Sequence, residues 1–250
     1  MPIMRSLVIS SIMLVVLVTT LKAQTANESM AADFSGTWFP AGFARRSPDP
    51  LPFTEAARNL LAQYETEFEL TDDPGRFCIW PGMPRALWGA PFVVEIIHRP
   101  QDVTVYFEGY GMYRKIYFAD HNPPEPILPT AMGHSIAHWE QDGDQAILVI
   151  STTHLLDYPY MNRLPTSSSA TVEERWRLEN REGEDGEFNR YVVAEATLID
   201  PQVYTEPVQI TATAMHRPDL NVLEYNCSRT LWEEYLMERG LQLPDLDSLP

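Results

Sequence analysis

The sequence predicts an all-β domain with a minor helical part, built on one antiparallel sheet that closes on itself or curves strongly. Two observations carry this. From residue 92 onward, apolar and polar residues alternate in run after run, the period-two pattern of strands packed on one face. Turn signals rather than helix-length segments separate several runs: Arg99-Pro100-Gln101-Asp102, Asp142-Gly143 and Glu184-Asp185-Gly186. Consecutive strands without crossover helices pair antiparallel, and a long series must close or fold over to bury its apolar face. A lipocalin-like barrel is the expected form; a two-sheet sandwich is the alternative.

The elements follow in order. Residues 1–23 read as a cleavable secretory signal: one basic residue, Arg5, an apolar run from Leu7 to Leu21, and a small residue, Ala23, at the cut. The run is short for a membrane span, which needs about 20 apolar residues. Residues 24–32 read as a disordered lead. A single β-rich domain spans 33–240, and 241–250 read as a loose tail. Within the domain, 33–38 form a first strand and 40–52, rich in Pro and Arg, a loop. Thr54 caps a helix to about residue 68, with Ala57, Leu60, Leu61 and Tyr64 at helical spacing. Asp72-Asp73-Pro74-Gly75 ends it, and a Pro/Gly/Trp-rich loop covers 78–91. Strands are expected at 92–98, 103–108, 112–118, 134–140, 145–153, 170–179, 191–199, 207–215 and 220–227, then a short helix at 231–239.

Composition narrows the partners. Acidic residues outnumber basic ones 35 to 18, for a net charge of −17. A phosphate backbone is repelled, so nucleic acid is excluded as a partner, and the acidity reads as solubility. The export signal implies a periplasmic or secreted protein, with no stable membrane insertion after cleavage, no nucleotide cofactor and no other cofactor. In that compartment the two cysteines, Cys78 and Cys227, read as a disulfide, with two buried thiols as the alternative. Closing so long a loop adds about 4–5 kcal/mol in the chain-entropy model.

The densest polar cluster is Gly133-His134-Ser135-Ile136-Ala137-His138-Trp139-Glu140. On a strand, His134, Ile136, His138 and Glu140 share one face. A hairpin at Asp142-Gly143 pairs Glu140 with Gln145 and His138 with Ile147, which adds Val149 and Ser151 to that face. Polar groups amid aliphatic ones read as a pocket wall fit for acid–base work, with histidines hydrogen-bonded at a sheet margin as the structural reading. No metal is assigned there. His154, one residue beyond the next strand, faces away from His134 unless a bulge or the strand end turns it. Arg114, on a face with Met112, Ile116 and Phe118, needs an acidic partner or an anionic ligand. Glu95, Glu108 and Glu174 are the candidate partners. Glu174 shares a face with Val172, Trp176 and Leu178, where burial would raise its pKa. Arg85 sits in a stiff loop with Trp80 and Trp88. Asp157, Tyr158, Tyr160, Asn162 and Arg163 form a polar, aromatic loop of the kind that closes a barrel mouth.

Several segments together resemble a family of exported, largely uncharacterised bacterial proteins of proteobacterial and acidobacterial type. They are Asp33-Phe34-Ser35-Gly36-Thr37-Trp38, Cys78 through Pro84-Arg85, Tyr113-Arg114-Lys115-Ile116-Tyr117, the Gly133–Glu140 cluster and Glu174-Arg175-Trp176, with Asp200-Pro201, Arg217-Pro218-Asp219 and Glu224-Tyr225-Asn226-Cys227 beyond them. The resemblance implies an exported β-rich domain and carries no activity. The family usually has Gly where Ala137 stands, and a longer turn where this chain has Asp120-His121-Asn122-Pro123.

The function expected from these residues is a cofactor-independent lyase, isomerase or hydrolase acting on a small apolar organic molecule in a barrel cavity. His134, His138, Arg114 and Glu174 form the catalytic set, with His138 as base and Arg114 stabilising an anion. Arg85, Tyr113, Glu140 and Tyr158 bind the substrate. The alternative is a lipocalin-like carrier of a hydrophobic ligand, and a structural or interaction domain without a pocket is third. Enzyme and carrier both require a cavity, and an enzyme requires at least two of the catalytic set to reach it.

Overall fold

The computed structural model describes residues 31–42, 44–69, 71–87, 91–118, 126–184, 186–227 and 230–249. The expected signal, most of the lead, Trp88 and the Asp120-His121 turn lie outside these residues.

Ten strands form one sheet: β1 (Gly36–Pro40), β2 (Arg45–Ser47), β3 (Val94–His98), β4 (Asp102–Phe107), β5 (Met112–Phe118), β6 (His134–Asp142), β7 (Gln145–Thr153), β8 (Thr171–Glu182), β9 (Phe188–Ile199) and β10 (Val208–His216). The described residues also include two α-helices, α1 (Glu55–Glu67) and α2 (Thr230–Arg239). The order runs β1-β3-β4-β5-β6-β7-β8-β9-β10, and β1 also pairs with β10, so nine strands close into a barrel. The architecture is all-β and lipocalin-like. β10 outreaches β1, and β2 takes the stretch of its edge that β1 leaves, with Arg46 opposite Ile210. The Pro- and Arg-rich segment expected as plain loop therefore contains a short strand outside the barrel.

A closed ring with an odd number of strands cannot alternate direction throughout. The one parallel neighbour pair is β5–β6, over Ile116↔Ser135 to Phe118↔Ala137; the other pairs are antiparallel. Closure also explains the absence of the strand expected at 220–227. β1 already occupies the free edge of β10, so residues 217–227 run as a strap without a ladder.

Inward positions recur with period two. β6 buries Ser135, Ala137 and Trp139, and β8 buries Val172, Glu174 and Trp176. Trp38 and Trp176 fill the centre with Leu148 and Ile150. One barrel end carries the tight hairpins β3–β4, β6–β7 and β8–β9, and Phe34 plugs it, stacked on Trp139 at 5.9 Å and edge-on to Trp176. The opposite end receives the long connections, which cap it with Met83, Leu87, Leu155, Met161 and Leu164, all buried. Among the described residues, the inward side chains form one contiguous buried core.

Helix α1 starts where expected. The Thr54 side chain accepts a hydrogen bond from the Ala57 N–H, satisfying one of the donors a helix start leaves open. Thr54→Ala is expected to cost about 1 kcal/mol, read as a shift in the urea midpoint at unchanged slope. The tail differs from expectation. Leu246 is fully buried, and Asp247 accepts from the Ser168 N–H at 2.8 Å. Leucines spaced irregularly among Pro and Asp left no periodic signal for this docking.

The disulfide Cys78–Cys227 is formed, with Cα atoms 5.6 Å apart. It ties the strap to the capped end. Among the described residues no helix is long and apolar enough to cross a membrane.

Candidate functional site

The expected catalytic set does not assemble around a cavity. Arg114 from β5 and Glu174 from β8 meet inside the barrel, 1% and 0% exposed. Arg114 Nη1 and Nη2 donate to Glu174 Oε2 and Oε1 at 3.0 and 2.5 Å. Arg114 also donates from Nε and Nη2 to Ser135 Oγ at 3.1 and 3.0 Å, and from Nη2 to Thr152 Oγ1 at 2.8 Å. Trp176 Nε1 donates to Glu174 Oε2 at 3.0 Å. Of the three partners open to Arg114, the fold selects Glu174. The charges neutralise each other with their hydrogen-bonding capacity engaged, so the pair is a structural clasp.

His134 and His138 lie on the outer face of β6 rather than inside the barrel; His134 lines an outer cleft of about 480 Å³, and His138 stands exposed. The shared face was read rightly, but it is Ser135, Ala137 and Trp139 that turn inward. The hairpin places Asp142 opposite Gln145 and His138 opposite Val149. This slip of two residues from the expected register leaves the faces unchanged. His138 is more than half exposed and sits 3.3 Å from Glu140, which also holds Arg175 at 2.7 Å. The Arg175 hydrogen bond, with that of His138, holds the Glu140 carboxyl below its usual range. Glu140 is thus part of a surface ion-pair ladder. Tyr113, also expected to bind substrate, is exposed on the outside of β5, in a cleft with His134. His154 has a left-handed φ of 54° just past β7, and that turn at the strand end brings its ring 6.3 Å from His134.

Two of the expected binding residues do come together. The side chain of Arg85, in the loop after α1, reaches Tyr158, in the β7–β8 connection: Nη1 donates to the Tyr158 hydroxyl, and the guanidinium lies 5.6 Å from the ring centroid. Asp73 lies between Arg85 and Arg163, 3.7 and 3.1 Å from their Nη2 atoms. Burial pushes the Tyr158 phenol up to about 12, so it remains a neutral acceptor for Arg85. In the loop 154–164, Leu155, Tyr158, Tyr160, Met161 and Leu164 are buried.

Arg85 separates two clefts and lines both. The first, about 310 Å³, brings Arg85 together with Arg46 and Arg163, beside Asn162, Leu164 and Ile210. The second, about 340 Å³, has Arg85 and Arg76 beside Trp80, Phe92, Tyr110 and Tyr225. Asp73 is the acidic side chain on the second cleft. Guanidinium groups therefore outnumber carboxylates in the lining of these two clefts, on a strongly acidic chain.

The same end leaves buried polar atoms without hydrogen-bond partners. Among the described residues these include Tyr64 Oη, Trp80 Nε1, Asn162 Oδ1, Thr166 Oγ1, Gln202 Oε1 and Trp232 Nε1, none of them on an inward barrel position. An unsatisfied buried group costs about 1–3 kcal/mol, and such groups concentrate where ordered water or a ligand binds. Asp73, Arg46, Arg76 and Tyr225 escaped the sequence reading. Asp73 looked like a helix stop, and the others come from segments distant in the chain, which only the fold brings together. Among the described residues, no group of three or more His, Cys, Asp or Glu is arranged to hold a metal ion. No family model matches the chain, and the curated proteins searched contain no match to it.

Proposed function

We propose that this protein binds a small organic anion at the capped end of its barrel, outside the cytoplasm, with Arg85 as the anchor. One observation carries the reading: Arg85 lies at the wall between two clefts, flanked by further arginines on each side. A guanidinium presents a fork of donors that matches a carboxylate, sulfonate or phosphate. Its present partners, a neutral phenol and a carboxylate at 3.7 Å, leave donor capacity for a ligand. The binding role is favoured over catalysis because Arg114 and Glu174 saturate each other inside the barrel and His138 stands exposed on the outer face of β6. The Cys78–Cys227 bond suits a protein in an oxidising compartment.

Titration of the full chain with 2-naphthoate and its neutral amide tests the reading. The acid is expected to bind and the amide to bind more weakly. Arg85→Gln is expected to weaken the acid about 10- to 100-fold, the range of a charge-assisted hydrogen bond. Equal affinity for acid and amide, or an unchanged affinity in Arg85→Gln, would overturn it. Turnover of a bound compound in the same samples would restore the enzymatic reading.

A further inference from the structure

The cleft on the Tyr110 side of Arg85 is an aromatic box built into the fold. Tyr110 and Tyr225 have ring centroids 5.3 Å apart, Trp80 lies 4.9 Å from Tyr110, and Phe92 stands edge-on to Tyr225 at 5.4 Å. These side chains come from the loop after α1, the β3 lead-in, the β4–β5 turn and the C-terminal strap, so distant parts of the chain converge on one small volume.

The walls are held at a conformational cost. Tyr110 has φ 67°, a left-handed backbone that a residue with a Cβ rarely adopts. Its hydroxyl donates to the Gly75 carbonyl at 2.8 Å, and a Cβ on Gly75 would stand 2.8 Å from that hydroxyl. A Cβ on Gly109 would meet the Phe92 ring at 2.5 Å. Both glycines are therefore required for the rings to stand where they do. The strap that supplies Tyr225 has no ladder of its own; the disulfide two residues on and the Leu223 N–H, which donates to Glu108 Oε2 at 2.9 Å, hold it down.

A cage of rings alone suits a quaternary ammonium group. Here Arg76 and Arg85 share the lining with one carboxylate, Asp73, and a cation entering the box meets two guanidiniums. A flat aromatic ring attached to an anionic group satisfies both parts: the anion meets Arg85 and the ring packs against the aromatic wall of the cleft. We propose that the ligand of this protein is an aromatic acid, its ring seated in the cleft against Tyr110, Tyr225 and Phe92. This rests on the anion-anchor reading of Arg85 and specifies what the anion is attached to.

The test compares 2-naphthoate with decahydro-2-naphthoate, the saturated acid of similar size and equal charge, on the full chain. Benzyltrimethylammonium is titrated alongside. The aromatic acid is expected to bind about tenfold tighter, since each aromatic pair adds roughly 0.5–1.5 kcal/mol beyond area burial. Tyr225→Leu, on a half-exposed strap, is expected to erase most of that preference and leave the saturated acid unchanged. Arg85→Gln is expected to weaken both acids alike. If both acids bind equally and both depend on Arg85, the aromatic inference fails and the anion anchor stands. Tighter binding of the ammonium probe overturns the inference too. If neither acid binds, the anchor itself is refuted.

Discussion

Glu174→Gln is expected to destabilise the protein by about 3–5 kcal/mol, the cost of breaking one side of a buried ion pair. The substitution is nearly isosteric, so packing changes little and the loss is electrostatic. It strands the Arg114 guanidinium inside the barrel without a counter-charge, fully buried and facing Ser135 and Thr152, which offer only neutral oxygens. Urea denaturation measures it as a lowered midpoint. The companion Arg114→Met/Glu174→Leu variant separates the pair's net worth from the cost of orphaning a charge. Burying two ions has already cost most of what their attraction returns, so the double variant is expected to recover most of the loss. Added salt should change neither result, because the pair is sealed from solvent, whereas the Arg175–Glu140 pair is open to screening. A loss under about 1 kcal/mol for Glu174→Gln is the outcome expected of exposed pairs and would mean that water reaches this one.

Cys78→Ser/Cys227→Ser is expected to cost about 5 kcal/mol in the chain-entropy model, since the bond spans a sequence separation of 149 residues. The measurement is the thermal midpoint of the double variant against wild type, and of wild type with and without reductant. The effect should not stop at stability. Tyr225 stands two residues from Cys227 on a strap that lacks a strand's ladder. Freeing the strap is expected to weaken 2-naphthoate binding more than that of its saturated counterpart. Equal weakening of both acids would place the strap's contribution in overall stability rather than in the box.

Local residue pattern made much of the fold legible. The alternation in β5 to β10 marked strands within a few residues of their observed bounds, and Thr54 marked the start of α1. The facing of the β6 residues was also legible, because side chains alternate with period two whatever the pairing. Which face turns inward was not. His134, Ile136, His138 and Glu140 make as coherent a set as Ser135, Ala137 and Trp139 do, and only closure of the barrel decides between them. Histidine and glutamate drew attention as chemistry, whereas the short Ala137 and the bulky Trp139 were what the interior required. His154 shows the same limit: one left-handed residue at a strand end reversed the direction expected from register.

By itself the sequence determined an acidic, β-rich domain, two distant cysteines able to pair, and the need of Arg114 for an opposite charge. All of these follow from local periodicity, residue type and charge. Only the tertiary structure decided that the counter-charge is Glu174, that Ser135, Ala137 and Trp139 face the core, and that Arg85 meets Tyr158 and Asp73 beside a box of aromatic rings. The physical reason is that strand pairing and loop packing act between residues far apart in the chain. Alternation records which residues share a face, while closure of the ring settles what each face meets.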